Sequence, residues 1–269
     1  MKNRFEPARY VAIALLISPL AISWAHIDYS IIYALIGERE LAYSRAIIES
    51  FRELSVTLAA TLIVAMFLSI TLAYLSVLSM KLGRSLKSFF SMVESIPSIL
   101  VALFFYAPVS GYLARHGSET SEIASLAVFI GAATITALPE AVRGIAIPLT
   151  DLYYRKYSIS FRSYGFTKGR ILAILTGSRA IRGSIARVAA GVLMKTLVLD
   201  CSFGFIIQLG FGSYGTPAHV SPGSLIAANR DALFEGGNPS LFWLPSIVLI
   251  AITASFMLAI MDRHTKESV

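Results

Sequence analysis

Long stretches without charged residues constrain this chain more than any other feature of its sequence. Five stretches contain no Asp, Glu, Lys or Arg: 10–27, 54–80, 95–114, 123–139 and 236–261. A sixth stretch, 188–209, is apolar apart from Lys195 and Asp200. A membrane helix needs about 20 apolar residues, and a soluble core helix rarely sustains that many without a charge. The sequence therefore predicts an all-α membrane protein with six spanning helices.

The overall composition excludes two other classes of protein. Hydrophobic residues make up 56% of the 269 residues and charged residues 14%, against about 25% charged in an average globular chain. So few charges exclude an ordinary soluble domain, and so many apolar residues exclude a disordered chain. The single Cys201 permits no intramolecular disulfide, and its apolar neighbours predict a small buried hydrophobe.

The distribution of Lys and Arg predicts the orientation of the spans, because basic residues are retained on the cytoplasmic side. One set of alternate segments holds 17 of the 23 basic residues: 1–9, 81–87, 139–187 and 262–269. The other set holds five: 26–53, 115–122 and 208–241. Both termini are therefore predicted to be cytoplasmic, in a multi-pass protein of the cell (plasma or inner) membrane.

The first 53 residues are predicted to form one spanning helix and an extracellular segment. Lys2, Arg4 and Arg9 precede an apolar run that ends in Ser23-Trp24-Ala25, a pattern that also fits a cleavable secretory signal. An uncleaved helix is favoured because five more predicted spans follow, and an even total leaves both basic ends on one side. The segment 26–53 is expected to contain a surface helix that leads into the second span.

The cytoplasmic segment 139–187 differs from the other three, which are expected to be short tails or turns. It contains nine basic and two acidic residues and six Tyr or Phe residues. One interpretation is a basic anchor whose aromatic rings rest on lipid headgroups. The alternative is a protein docking site, because Arg and aromatic side chains are enriched at interfaces. Gly165 and Gly169 are predicted turn positions between short helices.

The outer segment 210–240 is rich in Gly, Pro and Ser, which favours a loop or a re-entrant element over the mouth of a cavity. Residues 210–215 spell G-x-G-x-x-G, but they follow a predicted membrane helix and not a strand. A flexible loop is therefore the favoured interpretation of these glycines. No duplicated half is visible, which speaks against the inverted repeats of many ion-driven transporters.

Two charged residues lie inside predicted spans, where they are costly and therefore candidates for function. Lys195 and Asp200 are five residues apart, about 140° around an ideal helix, so they are not expected to neutralise each other. Each is a candidate residue of a translocation pathway; alternatively, Lys195 snorkels and Asp200 bonds to a neighbouring helix. Elsewhere, Glu94 and Arg143 are predicted to form a structural ion pair, and Pro97 is predicted to start or kink the third span.

The loop between the predicted fourth and fifth spans resembles the coupling loop of permease subunits of binding-protein-dependent ABC importers. That family has a motif of Glu-Ala-Ala, three residues and Gly on a short helix that docks into the ATPase subunit. The matching stretch is 157–165, YSISFRSYG, in which Gly165 falls on the motif Gly. Tyr157, Arg162 and Arg170 fall on positions where the dipeptide, oligopeptide and nickel branch often has the same residue types.

The match departs from the family pattern at four positions. Ile159 stands at the motif Glu, Ser160 and Phe161 replace the two Ala, and Ser178 replaces a usual Pro. Support comes from the order of other family-like stretches between residue 54 and the C-terminus: 57–58, 94–97, 141–144, 209–212, 243–245 and 261–263. The last of these resembles the second, C-type permease subunit of the branch.

The resemblance implies a permease core at 54–269 with a coupling loop at about 139–187. It implies a transport subunit, not an enzyme, that binds no metal or cofactor itself. Its partners would be a second permease, two ATP-binding subunits that use ATP and Mg, an extracellular solute-binding protein and the lipid bilayer, with no nucleic acid. The implied ATPase-coupling residues are Tyr154, Tyr157, Phe161, Arg162, Gly165 and Arg170.

Substrates in the resembling branch are peptides, oligosaccharides and nickel complexes. Two alternatives stay open on the sequence alone. The first is a permease for another small solute, such as phosphonate. The second is an ion-coupled carrier or an accessory membrane subunit, which would not use ATP.

Overall fold

A computed structural model describes residues 5–24, 38–116, 120–210, 221–234 and 239–261. This part of the chain is helical and contains no strand. A short 3₁₀ helix, Arg230–Leu233, precedes the last α-helix. The α-helices are α1 (Phe5–Ile22), α2 (Glu38–Leu78), α3 (Met80–Glu94), α4 (Ser98–His116), α5 (Thr120–Tyr154), α6 (Lys156–Ser163), α7 (Lys168–Thr176), α8 (Arg179–Gly210), α9 (Pro222–Ala228) and α10 (Ser240–Met261).

Within the described residues, three helical segments are long and apolar enough to cross a membrane: Tyr43–Leu78, Leu126–Tyr154 and Ser240–Leu258. A fourth candidate is α3 together with Ser98–Tyr106, a pair bent by 89°. The prediction of an all-helical chain with membrane-crossing helices is therefore confirmed in this coarser form. Six spans and cytoplasmic termini stay predictions.

Helix α2 is much longer than a bilayer requires. Its 41 residues extend about 60 Å at a rise of about 1.5 Å per residue, against a hydrocarbon core of about 30 Å. The surface helix expected within 26–53 is present from Glu38 onward as a continuous extension of α2. Residues 25–37 lie outside the described residues.

Helix α5 packs between α2 and α8, and small side chains make this close packing possible. In α5 these are Ala132, Ala133, Ala137 and Ala141, all buried, and in α2 they are Ala65 and Ala73. Small residues let helix backbones approach closely, which is how helices associate where burial from water supplies little driving force. The three helices therefore form the centre of the bundle.

Helices α1 and α10 pack on the outer side of this centre. Ile17 and Leu20 of α1 join a cluster formed by α2, α8 and α10. The end of α1 is fixed to α2, because Arg52 Nε donates to the carbonyl of Ser23 at 3.0 Å and lies over the ring of Trp24. Cys201 packs against the same cluster but is only half-buried, so the prediction of a buried hydrophobe is confirmed in part.

The segment 81–87, predicted as a short turn, is instead part of helix α3. That prediction was wrong because it considered charge alone and overlooked the apolar residues spaced along the same helical face. Two neighbouring predictions are confirmed: α4 begins directly after Pro97, and Arg143 Nη2 lies 2.7 Å from Glu94 Oε2. This ion pair fixes the end of α3 to α5.

Introducing a larger side chain at the α2–α5 contact should destabilise the protein. Ala65 is completely buried, and added methylenes in a packed core cost about 1–3 kcal/mol. We expect Ala65→Leu to lower the thermal unfolding midpoint in detergent. Ala59→Leu is the matched control, since Ala59 lies on the same helix with an exposed side chain. Equal midpoints for the two variants would contradict the packing described here.

Candidate functional site

A cavity of about 250 Å³ lies between α5 and α8. Its wall contains several small residues, among them Ala137, Ala141, Gly144 and Gly191. A Cβ atom added at Gly144 would lie 2.6 Å from Val188 Cγ2, whereas one added at Gly191 would meet nothing within 4 Å. The two helices are therefore in close contact at Gly144 and open a space at Gly191.

Charged side chains line the same cavity. Lys195 Nζ lies 3.8 Å from Glu140 Oε2, and these side chains are 33% and 76% exposed. Arg187 also contributes to the wall. An exposed ion pair at this distance contributes little to stability, so its residues are available to interact with a solute or with water. The cavity wall thus carries two cationic groups and one carboxylate.

The structure does not bring Lys195 and Asp200 together. Asp200 is completely buried and does not line the cavity that contains Lys195. Its neighbours Leu199 and Phe203 pack in a cluster with α4 and α5. Lys195 lines the cavity and Asp200 does not, because their spacing of five residues directs the two side chains to different sides of α8.

The short helix α9 packs closely against the C-terminal part of α8. In α9, Pro222, Gly223 and Ala227 are buried. A side chain at Gly223 would clash with the carbonyl of Cys201, and one at Gly204 with the side chain of Ser221. The segment 210–240, predicted to be a loop or a re-entrant element, therefore contains a short helix that packs on α8. Residues 211–220 and 235–238, with most of the glycine-rich 210–215, lie outside the described residues.

The bounds predicted for the coupling loop, 139–187, are too wide, because α5 continues to Tyr154 and α8 already begins at Arg179. Between these two helices the loop contains two short helices joined by a tight turn. Helix α6 ends at Ser163, and Gly165 follows with φ of +77°, a conformation that favours glycine. The predictions of a short helix here and of a turn at Gly165 are confirmed. The turn predicted at Gly169 is wrong: Gly169 lies inside α7, where the Tyr74 hydroxyl donates to its carbonyl at 3.1 Å. Glycine at position 169 permits this close contact, since a Cβ atom at Gly169 would lie 3.2 Å from the Tyr74 oxygen.

Arginine and aromatic side chains hold this loop in shape. Arg162 lies 4.1 Å from the centre of the Tyr153 ring and donates to the Tyr153 carbonyl at 2.8 Å. The rings of Phe161 and Phe166 meet edge to face at 5.6 Å, and Arg170 lies 4.7 Å from the Phe166 ring centre. The predicted coupling residues Phe161 and Arg170 therefore contact Phe166 within the loop, whereas Arg162 contacts Tyr153 at the end of α5.

The loop is also attached to the long helices. Leu152 of α5 packs with Leu172 and other apolar residues of α7 and α8. The buried Ser158 donates to the Leu152 carbonyl at 2.9 Å. Lys168 Nζ donates to the carbonyl of Leu78 at the end of α2 at 3.0 Å, where a cation is favoured by the helix dipole. Helices α6 and α7 are thus fixed to the ends of α5 and α2.

Several large side chains in and beside α6 are turned outward, among them Tyr154, Ile159 and Tyr164, the last being 80% exposed. Of these, the sequence predicted only Tyr154 as a contact residue. Ile159 stands where the family motif has Glu. An apolar residue at that position of a short helix is a sequence signal for an apolar contact with a partner. Tyr164 is one of the six Tyr and Phe residues that favoured a docking site, although it was not among the implied coupling residues. Nothing is described of the Tyr157 side chain, which was also predicted.

The described residues contain no group of three or more His, Cys, Asp or Glu side chains placed to hold a metal ion. No protein-family model matches the sequence, and no curated protein matches it at a significant level. The described residues form a helical bundle that has helices long and apolar enough to cross a membrane, a charged cavity between α5 and α8, and a short helix pair at one end.

Alanine at the two cavity glycines should change stability in opposite directions. Glycine inside a helix is less stable than alanine by about 0.5–1 kcal/mol, so Gly191→Ala should raise the thermal unfolding midpoint. Gly144→Ala should lower it, because the stiff Val188 side chain cannot avoid the new Cβ and overpacking costs about 1–3 kcal/mol. A stabilising Gly144→Ala would show that α5 and α8 are not in close contact.

The cavity should be accessible to a small water-soluble thiol reagent. In a Cys201→Ser background, we expect Glu140→Cys to react rapidly, because that side chain is exposed. Thr136→Cys, one turn away on α5, should react slowly, because Thr136 is buried. The measurement is the rate of labelling in vesicles, and equal rates at the two positions would contradict an open cavity at Glu140.

Proposed function

We propose that this protein is a permease subunit of an ATP-driven importer, with the α5–α8 cavity as part of its solute pathway. The observation that carries the proposal is the arrangement of α6: a short helix fixed to the end of α5, beside α7, which is fixed to the end of α2, with Tyr154, Ile159 and Tyr164 exposed nearby. A rigid helix with exposed aromatic and apolar side chains suits docking to another protein.

Helix α5 provides the mechanical connection between this surface and the cavity. It is continuous from Thr120 to Tyr154 and carries Glu140 on the cavity wall and Leu152 at the base of α6. The two positions are 12 residues apart, or about 18 Å along a helix. When ATP-binding subunits close and displace α6, α5 would move with it against α8 and change the cavity width.

The proposed topology has six spans and both termini in the cytoplasm of a cell-membrane protein. Its support is the asymmetry of the basic residues, nine of which lie in the segment 139–187 with only two acidic residues. This segment contains α6 and α7. If its basic residues retain the segment 139–187 on the cytoplasmic side, the exposed side chains near α6 lie on the side of the membrane where ATP-binding subunits are found.

The proposed complex contains a second permease, two ATP-binding subunits and an extracellular solute-binding protein. The resembling branch favours a peptide, an oligosaccharide or a nickel complex as substrate. A small anion such as a phosphonate is the alternative substrate, for which Lys195 on the cavity wall is a candidate binding cation. Competition of uptake by peptides or by phosphonates distinguishes the two. Uptake that continues without ATP but stops when the ion gradient collapses would support a carrier instead.

Disturbing the α6 loop should separate ATP hydrolysis from transport. Arg162→Glu removes the contacts with Tyr153, and a charge-assisted hydrogen bond contributes about 1.5–3 kcal/mol. We expect uptake by the reconstituted complex to fall about 10-fold or more, which corresponds to about 1.4 kcal/mol, while ATP hydrolysis continues. Gly165→Val should act in the same way, because valine is strained at positive φ.

Arg230→Glu is the control for these variants. Arg230 is exposed and lies outside the α6 loop, so the same change of charge there disturbs neither the Tyr153 contact, the turn nor the exposed side chains near α6. This variant should transport at close to the wild-type rate. Wild-type uptake by Arg162→Glu and Gly165→Val would reject the loop as the coupling element.

A further inference from the structure

Helix α3 has two distinct faces. Leu82, Leu86, Phe89 and Val93 are spaced four, three and four residues apart, so they lie on one side of a helix of about 3.6 residues per turn. The opposite side carries Arg84, Lys87 and the hydroxyls of Ser88 and Ser91. A short helix with one apolar and one basic face is typical of a membrane surface.

Only one edge of the apolar face is covered by the protein. Phe90 is buried in a cluster with Ala73 of α2 and Val142 of α5. Gly83 lies against the end of α2, since a Cβ there would be 2.7 Å from the carbonyl oxygen of Ser76. These contacts fix α3 along one side and thereby determine which way its remaining surface faces.

The other edge of the apolar face projects away from the bundle. Leu82, Phe89 and Met92 are 49%, 53% and 62% exposed. Exposed apolar side chains that adjoin basic ones indicate a surface that contacts something both apolar and negatively charged. An anionic bilayer surface meets both requirements within one layer.

The direction of α3 agrees with such a contact. The helix makes an angle of 89° with Ser98–Tyr106, the first part of α4. If α4, which has 19 residues, crosses the bilayer, α3 lies along the bilayer surface. Its basic residues also belong to the segment 81–87, which is among those predicted to be cytoplasmic, and the cytoplasmic leaflet is the one that carries anionic lipids in many membranes.

We infer that α3 is an interfacial helix that binds anionic phospholipid headgroups through Arg84 and Lys87 and inserts Leu82, Phe89 and Met92 among the acyl chains. This inference rests on the membrane-crossing helices of the proposed function and not on ATP-driven transport. The bend between α3 and α4 then has a function. It keeps α3 at the membrane surface, where the apolar face of the helix contacts lipid and the basic face contacts headgroups and water.

The position of α3 is tested with spin labels on the full chain in vesicles of phosphatidylglycerol and phosphatidylcholine. In a Cys201→Ser background, labels are attached at Phe89→Cys, Arg84→Cys and Phe67→Cys. The Phe89 label should collide mainly with oxygen, which concentrates in lipid, and the Arg84 label mainly with a water-soluble nickel complex. A Phe89 label accessible mainly to the nickel complex would overturn the inference. So would one accessible to neither reagent, since a protein partner or a second copy would then cover α3.

The label at Phe67 separates failure of this inference from failure of the membrane assignment. Phe67 lies within Tyr43–Leu78 and is exposed, so its label should collide mainly with oxygen. A lipid-exposed Phe67 with a water-exposed Phe89 rejects only the interfacial position of α3. A water-exposed Phe67 would reject the membrane assignment and, with it, the inference.

Headgroup recognition is tested by native mass spectrometry of the full chain with phosphatidylglycerol or phosphatidylcholine of the same acyl chains. The wild-type protein should retain phosphatidylglycerol preferentially. Arg84→Gln with Lys87→Gln should weaken that retention by about 30-fold, given the contribution of about 1 kcal/mol from each basic residue near an anionic surface. The control is Arg155→Gln with Arg230→Gln, two exposed residues outside α3. No lipid preference in the wild type, or an equal loss in both double variants, would overturn headgroup recognition by α3.

Discussion

The close packing of α5 against α2 and α8 is the contact on which the other features of this structure depend. It requires small side chains, since Ala65 and Ala137 lie in one buried cluster and Gly144 meets Val188 directly. In a membrane, helices do not associate to escape water, so this fit and the polar contacts must supply the stabilisation. Where the fit loosens, near Gly191, the cavity opens.

The same helix joins the cavity to the short helices at one end of the bundle. Its last turns carry Leu152 and Tyr153, which hold α6 through packing, two hydrogen bonds and a cation–π contact. These contacts are internal, so the loop is rigid before any partner binds. Its exposed side chains, Ile159 and Tyr164, are then available for docking. Preorganisation of this kind reduces the cost of ordering side chains on binding.

Many of the helices were predictable from the sequence, because long apolar stretches without charge are typical of helices that cross a membrane. The ion pair of Glu94 and Arg143 and the turn at Gly165 were also predictable, the first from opposite charges near two helix ends and the second from the position of the glycine. Helix α3 was not predicted, because the basic residues of 81–87 indicated a turn and the helical spacing of the apolar residues between Leu82 and Val93 was not considered. The cavity was not predictable, since it depends on where the small residues of α5 and α8 face each other.

The central claim is that this chain forms a transport complex with ATP-binding subunits through the α6 loop. Its most direct test is purification of the tagged chain from its native membrane in mild detergent, followed by identification of the proteins that remain bound. The account predicts recovery of an ATPase together with a second permease of similar topology, and loss of the ATPase when Ile159 and Tyr164 are replaced by charged residues. Recovery of a monomer that transports solute without any ATPase would contradict it.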